Sequence, residues 1–594
     1  MGSRRTAAGP RGEPGPRART RRPRIARLRR RDLRPRATGR RDVPVTRADG
    51  TANTVAPETW VDLFLDRTGT RPEAVYSADG ERVLTYGALR EQVDLLATAL
   101  LGRGVRPGQV VAVWMTNSLD FLVAQWAVYR AGCALLPLYS YYREVELAHA
   151  LAESRAPVLL TSRDFAGKTD PLRILRALLP ELDAGGAPFA ACPDLRAVVT
   201  VEDTGLPGAT PMTELVAGVE PELTGLERIR GRLASTDLMN VMYTSGTTGV
   251  PKAGLSMHSN NLATVRHWSE LARLGPGDVI LAHVPMFTNF GCLYTNALAL
   301  FNGCRLEVTR TFDAGRGLAA IGDRRVTYVP GSPEMFRMLL SHKDFPRTDT
   351  SSVRTAHVAG SAVDPALMRR IVDELAPNAM QAYGMSECGG LSTVTSDRDP
   401  LERRIDSVGR ALPSALVRVV DPETGRDQPT GTVGEIWFGD AEPGSCVGKG
   451  YLAAPEATAA AITPAGWFRS GDLGRLDEDG YLYFTGRRKN MITVGGFNVY
   501  PAEVERHVLA CPGVRACFVV GVPDQRLGSV PVAFVVGAPD LTEDTVIAFM
   551  RERVSSQKQP RRVWPVTEDE LPTTPSGKVR LTELTETAAA RMRA

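Results

Sequence analysis

The chain has 594 residues, more than a single hydrophobic core usually accommodates, so we expect two or more domains. Its 43% apolar and 23% charged residues are typical of a globular protein. The net charge of +5 originates in the first 50 residues, which contain 17 arginines and 4 acidic residues. The rest of the chain is net acidic, which argues against a nucleic-acid-binding surface there.

Residues 1–47 are rich in Arg, Pro and Gly and contain few large apolar side chains, so we expect this segment to stay unfolded. We favour an extension from an upstream start that is not needed by the folded protein. A tether to nucleic acid or to a membrane surface is the first alternative. A transit peptide is the second, although such peptides are serine-rich and Ser3 is the only serine before Ser77. Deletion of residues 1–47 is expected to leave catalysis intact.

Eight cysteines are scattered singly, without a CxxC pair or zinc-ligand spacing. This pattern indicates a reducing compartment, and we expect a cytoplasmic protein. The longest stretch without Asp, Glu, Lys or Arg is Val279–Cys304. It contains Pro285, His283 and three asparagines, which would be costly in lipid, so it predicts a loop followed by a buried helix.

From Leu84 onward the chain alternates between helical and strand-like patterns. Apolar residues at Leu89, Val93, Leu96 and Leu100 lie on one face of a predicted helix that ends near Gly102. The following segments predict, in turn, strand, helix, strand, helix and strand: 110–115, 121–130, 133–138, 144–152 and 158–161. This alternation predicts a mostly parallel sheet covered by helices.

After residue 410 the pattern changes to short strands separated by turns. A small domain is predicted to begin near Lys489, with strands at 517–522 and 530–536 and a helix at 543–553.

The strongest motif extends from Tyr243 to Gly254 and reads YTSGTTGVPKAG. Its glycines allow close approach of backbone N–H groups, its hydroxyls add donors, and its lysine adds charge, a combination that suits a polyphosphate. A flexible polar turn is the alternative. The candidate phosphate-binding residues are Thr244, Ser245, Gly246, Thr247, Thr248, Gly249 and Lys252. A second run, Gly444–Gly450, has too few residues for a Walker A loop, and we interpret it as structural.

This motif resembles the phosphate loop of the AMP-forming adenylating enzymes, which comprise acyl-CoA synthetases, luciferases and peptide-synthetase adenylation domains. Further motifs of that family follow in order, over roughly residues 55–585. They are QAYGMSE at 381–387, WFRSGD at 467–472, GRRK at 486–489, GGFNVYPAEVE at 495–505 and PTTPSGK at 572–578. The chain is most similar to the acyl-CoA synthetases.

The resemblance implies an α/β fold. A large N-terminal domain of layered α/β subdomains plus a small β-barrel-like subdomain would be followed by a small mobile α+β C-terminal domain. The expected bounds are 1–50 for a disordered Arg-rich extension, 51–488 for the large ATP- and acyl-binding domain, and 489–594 for the mobile domain.

The implied activity is ATP-dependent conversion of a carboxylic acid to an acyl-adenylate, followed by transfer to the thiol of CoA. ATP, Mg²⁺ and CoA are the implied cofactors. A stand-alone enzyme that loads a carrier protein is the main alternative, because it would share every motif. A luciferase-like oxygenase and a non-enzymatic binding role are less favoured.

The resemblance also assigns roles to individual residues. Lys578 would stabilise charge during adenylation, and Glu387, next to Ser386, would hold Mg²⁺ on the ATP phosphates. Asp472 would accept hydrogen bonds from the ribose. The remaining assignments are the adenine site (Tyr383 and Gly384, with Gly360, Ser361 and Ala362 opposite), a ribose or phosphate contact (Arg487), the hinge (Lys489) and the pantetheine channel (Gly495, Gly496 and Phe497).

Val284–Gly291 resembles the segment that lines the acyl pocket. Thr288 stands where many acyl-CoA synthetases carry histidine. The segment also lacks the aspartate of amino-acid-activating domains, so an α-amino acid is not expected as substrate. Thr288 and Asn289 would either hydrogen-bond a polar acyl chain or satisfy backbone groups in a buried loop, and we favour the second interpretation.

Overall fold

The computed structural model describes residues 45–46, 52–53, 58–80, 82–167, 169–244, 252–495, 497–573 and 579–593. Residues 1–56 form a separate unit, in which Val45–Thr46 pairs antiparallel with Ala52–Asn53. The second unit, residues 57–594, contains all the other elements.

The first large sheet has seven strands and is mostly parallel. Both of its faces are buried: Val111 and Val113 contribute to one core, and Val110, Ala112 and Trp114 to another. This explains the continuous apolar run there, because a parallel sheet is covered by helices on both sides. In spatial order its strands are Lys252–Met257, Leu238–Thr244, Ala134–Pro137, Val110–Trp114, Val158–Thr161, Ala197–Thr200 and Ala209–Pro211.

The second large sheet has nine strands, with a parallel centre and antiparallel edges. Three of its central strands end at candidate site residues. Val279–Ala282 leads to Val284–Gly291, which we call the acyl segment, Thr355–Val358 leads to Gly360, and Asn378–Tyr383 ends at Tyr383. In spatial order its strands are Arg410–Ala411, Thr393–Val394, Asn378–Tyr383, Thr355–Val358, Tyr328–Gly331, Val279–Ala282, Arg305–Val308, Val75–Ala78 and Val83–Thr85.

Helices cover both large sheets. The predicted helix around Leu89 is Tyr86–Gly102, and its apolar face is fully buried. The other α-helices of this region are Trp60–Thr70, Leu119–Arg130, Glu144–Ser154, Pro171–Leu178, Met212–Leu215, Leu223–Arg230, His258–Ala272, Asn289–Gly291, Leu298–Asn302, Ala314–Arg324, Pro333–Leu340, Pro365–Glu374, Leu401–Asp406 and Pro455–Ala461. Shorter turns are the 3₁₀ segments Pro180–Ala184, Phe345–Arg347, Ser386–Cys388 and Arg488–Asn490, and the π-helical segment Cys292–Ala297.

A smaller antiparallel sheet follows, at the position of the expected barrel-like subdomain. It is open rather than barrel-shaped, since its first and last strands do not pair with each other in the described part of the chain. Closure is not needed to bury its apolar face, because Cys388, Cys446 and Val447 from the neighbouring loops cover Ile436 and Phe438. Its strands are Ala415–Val420, Gly434–Asp440, Phe468–Leu476 and Leu482–Arg487.

The C-terminal region is a small α+β domain with its own five-stranded sheet and core. Its strands are Phe497–Val499, Ile492–Val494, Gly528–Gly537, Val514–Asp524 and Val563–Pro565. Its helices are Pro501–Leu509, Glu543–Arg551 and Leu581–Arg593, with 3₁₀ turns at Ser556–Lys558 and Glu568–Glu570.

All eight cysteines are buried and free of disulfides. Burial raises the pKa of the Cys133 and Cys292 thiols to about 12. The uncharged stretch Val279–Cys304 differs from the expectation, because it begins with the strand Val279–Ala282 before the helical segment that starts at Asn289. Among the described residues, none of the helices combines the length and apolarity that crossing a bilayer requires.

Candidate active site

Part of the predicted site lies outside the described residues. This applies to Ser245, Gly246, Thr247, Thr248, Gly249, Gly496 and Lys578. The described chain reaches the phosphate motif from both sides. The strand Leu238–Thr244 runs into it, and the antiparallel strand Lys252–Met257 leaves it, with the backbones of Thr244 and Lys252 paired.

Lys252 and Glu387 are connected through a third side chain, Tyr451. The ammonium of Lys252 lies 5.5 Å from the centre of the Tyr451 ring. The Tyr451 hydroxyl donates a 3.0 Å hydrogen bond to Oε1 of Glu387. Burial raises the pKa of the Glu387 carboxyl, and the bond from Tyr451 opposes that rise. A cation bound beside Glu387 would therefore stabilise the ionised carboxylate, which burial disfavours.

The Gly444–Gly450 run packs directly against the backbone of Glu387. Gly448 donates its N–H to the carbonyl of Glu387 over 2.8 Å, and Lys449 donates to the carbonyl of Leu255 over 2.9 Å. A Cβ on Gly448 would lie 2.2 Å from the Leu255 carbonyl oxygen, so only glycine fits between the two segments. The run thus has a structural role, as expected, and it fixes the position of Glu387.

One carboxylate fits the protein's share of a Mg²⁺ site, because Mg²⁺ keeps several waters and is shared with substrate phosphates. Within the part of the chain that the structure describes, no group of three or more His, Cys, Asp or Glu side chains is arranged to hold a metal ion. Ser386, which opens the turn Ser386–Cys388, accepts a 3.4 Å hydrogen bond from Ser256 at its backbone carbonyl.

Tyr383, Asp472 and Arg487 meet at the junction of the second large sheet and the small sheet. The Tyr383 hydroxyl donates a 2.8 Å hydrogen bond to Oδ2 of Asp472, and Nε of Arg487 lies 3.4 Å from Oδ1. Burial raises the pKa of the Asp472 carboxyl, and Arg487 counteracts that shift. Tyr383 itself packs between Phe438 and Phe484, with ring centres 5.7 and 5.6 Å away.

Gly360, Ser361 and Ala362 follow the strand that pairs with the Tyr383 strand, and all three are exposed. Gly360 has φ +97°, a conformation that favours glycine, and no atom of the described residues lies within 4 Å of where its Cβ would stand. Gly384 is the opposite case: a Cβ there would lie 2.5 Å from the Gly390 carbonyl oxygen. The chain therefore crosses closely over Gly384 and leaves open space beside Gly360.

The predicted hinge residue, Lys489, lies in the 3₁₀ turn Arg488–Asn490 between the small sheet and the C-terminal domain. Burial and the neighbouring Arg487 lower the pKa of its ammonium. Beyond the turn, Gly495 donates its N–H to the Leu527 carbonyl over 2.8 Å. Phe497 is 61% exposed, so the structure leaves this large apolar side chain uncovered.

Arg580 places the last helix near the large domain. It lies two positions after Lys578; its 2.7 Å bond to Glu583 raises the pKa of its guanidinium, and Glu146 and Tyr141 of the large domain add to that rise. Glu146 belongs to the helix Glu144–Ser154, which packs beneath the first large sheet.

In the acyl segment, Thr288 and Asn289 differ sharply. Thr288 caps the helix Asn289–Gly291: its hydroxyl accepts from the N–H of Gly291 and donates a 2.7 Å bond to the Pro285 carbonyl. Asn289 is only 9% exposed, and neither of its amide atoms has a hydrogen-bond partner among the described residues.

Aromatic side chains flank the same segment. Phe287 lies 5.4 Å from Tyr139 and 6.2 Å from Tyr141, measured between ring centres. Phe290 lies 4.6 Å from His357.

Two residues that organise this site have no sequence motif. One is Tyr451, which connects Lys252 with Glu387. The other is Asn117, whose amide donates to the carbonyls of Ala282 and Val284 over 3.2 and 3.0 Å and accepts from the N–H of Met286 over 2.8 Å. Asn117 follows the strand Val110–Trp114, and a polar residue just after a buried strand is the signal that could have pointed to it.

Comparison with known proteins identifies the family and the fold of the chain. Residues 64–452 match the family model of the AMP-binding enzymes, and residues 503–578 match that of the AMP-binding enzyme C-terminal domain. The ATP-bound MatB structure from Rhodopseudomonas palustris superimposes with a TM-score of 0.76 at 27% identity, over 89% of this chain and 99% of that one. The anthranilate CoA ligase AuaEII, at 22% identity and a TM-score of 0.79, shares the fold over 91% of this chain and 99% of its own.

Relatives of known activity cover almost the same region. A Rhodococcus jostii 3-[(3aS,4S,7aS)-7a-methyl-1,5-dioxo-octahydro-1H-inden-4-yl]propanoyl:CoA ligase is 36% identical over 86% of this chain and 95% of that protein. The mitochondrial medium-chain acyl-CoA ligase of Bos taurus is 32% identical over 85% of this chain and 83% of its own length. The chain therefore belongs to the AMP-binding enzyme family, and it is an acyl-CoA ligase that uses ATP to form an acyl-adenylate and then transfers the acyl group to CoA.

Proposed function

We propose that the acid is a medium-sized, mostly apolar carboxylic acid. The observation that carries this is the aromatic lining around Val284–Gly291, where Phe287 meets Tyr139 and Tyr141 and Phe290 meets His357. The segment itself contains no Asp, Glu, Lys or Arg. An ammonium or a second carboxylate on the substrate would therefore have no charged partner on this segment, and its desolvation would be costly.

The relatives support the same size range. The Rhodococcus relative acts on a propanoate attached to a methylated bicyclic dioxo ring system, and the bovine relative acts on medium-chain acids. Both acyl groups are apolar over most of their length, and both are larger than acetate. A fused-ring propanoate and a medium-chain acid are thus the two substrate types that we put forward.

The surroundings of two carboxylates support the proposed ATP site. We propose that Glu387 holds Mg²⁺ on the ATP phosphates and that Asp472 binds the ribose hydroxyls. The adenine would lie against Tyr383, with the exposed turn Gly360–Ala362 opposite. Because Tyr383 already donates to one oxygen of Asp472, the ribose would share this carboxylate with a protein partner. The segments around Ser245–Gly249 and Lys578, which lie outside the described residues, are assigned to the phosphates on their sequence resemblance alone.

The C-terminal domain is proposed to take a second orientation for thioester formation. Phe497, the apolar residue assigned to the pantetheine channel, is exposed in this structure. An exposed phenylalanine costs hydrophobic stabilisation, which it would recover on facing the active site. Rotation about Lys489 would bring the Gly495–Phe497 edge inward, and the proposed domain bounds remain 1–50, 51–488 and 489–594.

We also propose a cytoplasmic location. Eight buried, unpaired cysteines fit a reducing compartment, where thiols stay reduced.

The experiment that tests the proposal measures AMP and pyrophosphate release by the full-length protein with MgATP. The acids would be linear acids of graded length, ring-bearing propanoates, dicarboxylates and amino acids, each with and without CoA. We expect turnover that requires CoA and is greatest for the medium-chain or ring-bearing acids. A preference for acetate, for amino acids or for dicarboxylates would overturn the substrate proposal. Pyrophosphate release that CoA does not stimulate would point instead to a carrier-protein thiol as the acceptor.

A further inference from the structure

Asn289 is a buried polar side chain that has no hydrogen-bond partner among the described residues. Its amide nitrogen and oxygen both lack hydrogen-bond partners, and neither atom is reached by solvent. A buried polar group left unpaired loses its hydrogen bonds to water without replacement, which destabilises the folded protein. A leucine of similar size would avoid this cost, so a packing role alone does not account for an asparagine here.

The surroundings of Asn289 belong to the acyl segment. The residue follows Thr288, which caps the short helix, and it precedes Phe290, which is only partly buried. Its Nδ2 lies 3.2 Å from the point where a Cβ on Gly390 would stand, and the Tyr294 hydroxyl lies 3.0 Å from that same point. A Cβ there would also lie 2.9 Å from Cε2 of Tyr294, so only glycine at position 390 lets the backbone pass this close to the amide.

The wall next to Asn289 is built from a π-helical turn. Tyr294 lies within Cys292–Ala297, which hydrogen-bonds in the π pattern. Such turns occur mostly as single insertions in α-helices, and often at functional sites. The Tyr294 hydroxyl is occupied, since it donates a 3.2 Å bond to the Gly389 carbonyl. It therefore does not offer its proton to Asn289.

His357, which lies beside Phe290 and Tyr294, contains a second buried atom without a hydrogen-bond partner among the described residues. Nδ1 of His357 lies 2.7 Å from the Tyr328 hydroxyl, which itself accepts from Nε1 of Trp268 over 2.9 Å. The Tyr328 proton is then available for Nδ1, which leaves the imidazole proton on Nε2. That Nε2–H has no partner among the described residues, and the His357 ring packs against Phe290 and Tyr294.

We infer that Asn289 is a specificity-determining residue, and that the acyl group carries a keto or hydroxyl oxygen that this amide binds. The amide offers both a donor and an acceptor, so it suits either oxygen type. Movement of the partly buried Phe290 ring would admit the chain to the amide. The inference rests on the proposed function, because it places a polar oxygen within an otherwise apolar acid.

The test compares matched acids. A cyclohexylpropanoic acid is paired with oxo analogues in which a carbonyl replaces one ring methylene, and a medium-chain acid is paired with its oxo analogues. The ratio of kcat/KM between members of each pair is measured with the full-length enzyme, MgATP and CoA. We expect the best oxo acid to be preferred by about tenfold, which is the scale of a buried hydrogen bond. We expect Asn289→Leu to reduce that ratio to about one.

Asn261→Leu is the matched control. Asn261 is also a buried asparagine whose amide oxygen lacks a partner among the described residues, but its Nδ2 contacts the sulfur of Met239, outside the acyl segment. This variant should keep the wild-type ratio even if its stability falls, since a ratio within one enzyme cancels the loss of folded protein. Asn289→Asp, which keeps the size but loses the donor, provides a second variant if the leucine variant does not fold.

The outcomes separate the two proposals. A wild-type enzyme that uses apolar and oxo acids equally would leave the proposed function standing and overturn the role of Asn289. A wild-type preference that persists in both Asn289 variants would overturn it as well. Failure of every medium-sized acid, with or without oxygen, would overturn the proposed function and the inference together.

Discussion

The hydroxyl of Tyr383 donates a hydrogen bond to Oδ2 of Asp472 over 2.8 Å, and this bond joins the second large sheet to the small antiparallel sheet. Arg487 approaches the other oxygen of the same carboxylate, 3.4 Å away. Two elements far apart in sequence thus converge on one acidic group.

We expect Asp472→Asn to weaken ATP binding. Asparagine keeps the shape, but it removes the charge that Arg487 faces and replaces one acceptor by a donor. Hydrogen bonds to charged groups contribute about 1.5–3 kcal/mol, so the KM for ATP should rise by about ten- to a hundredfold. The measurement is pyrophosphate release against ATP concentration. Tyr383→Phe removes only the bond within the protein and should raise KM less. An unchanged KM in Asp472→Asn would contradict the ribose assignment.

The Tyr451→Phe variant should need a higher Mg²⁺ concentration for half-maximal activity. The acid limb of its pH–activity profile should also shift to higher pH. Burial raises the pKa of Glu387, and the Tyr451 hydroxyl opposes that rise, so its removal raises the pKa further. Since a cation needs the ionised carboxylate, activity would be lost earlier as the pH falls.

The half-saturating Mg²⁺ concentration should rise severalfold, as expected for one hydrogen bond to a charged group. Adenylation rates are measured against Mg²⁺ concentration at several pH values. Tyr481→Phe, which loses a 2.7 Å bond to Asp399 elsewhere on the protein, is the control. Identical Mg²⁺ curves for the wild type and Tyr451→Phe would argue against a metal at Glu387.

Lys578→Ala should abolish adenylate formation while sparing thioester formation from supplied acyl-adenylate. In the first half-reaction a carboxylate attacks a polyphosphate, and a lysine would stabilise the accumulated negative charge. The second half-reaction involves no such approach of two anions. The two steps are measured separately, by pyrophosphate release and by acyl-CoA formation from the adenylate. Equal loss of both would refute this division of roles.

Lys489→Pro should impair the thioester step selectively. Proline fixes φ near −65° and restricts the preceding residue, so the turn Arg488–Asn490 could no longer pivot freely. Lys489→Ala removes the same side chain without restricting the backbone, which isolates the effect of rotation. Both half-reactions are followed in both variants. Normal overall turnover in Lys489→Pro would count against a hinge at this residue.

The sequence predicted much of the fold because local patterns were enough for it. The run at Val110–Trp114 is apolar on both faces, as a covered parallel strand must be, and the helix around Leu89 carries one apolar stripe. The expected barrel-like region was less well predicted. Whether a sheet closes depends on what covers its apolar face, and here Cys446 and Cys388 do so from distant loops.

The site was predictable only where it carries motifs. Glu387 and Asp472 were assigned to the site from short sequence patterns. Tyr451, which bonds to Glu387 from 64 positions further along the chain, has no local pattern that predicts this contact. Thr288 and Asn289 are neighbours of similar polarity, and the sequence offered no way to separate them. In the structure the first caps a helix, while the second has no hydrogen-bond partner within the described part of the chain, a difference that arises from three-dimensional packing alone.

The burial of all eight cysteines makes the protein well suited to site-specific labelling. Thiol reagents react with accessible thiolates, so the native cysteines should not react, whereas a cysteine introduced on the surface should react. Val145 in the large domain is 82% exposed, and the side chain of Glu552 in the C-terminal domain is 77% exposed. A fluorophore pair on cysteines at these two positions would report the distance between the domains during turnover, with no need to remove a native cysteine.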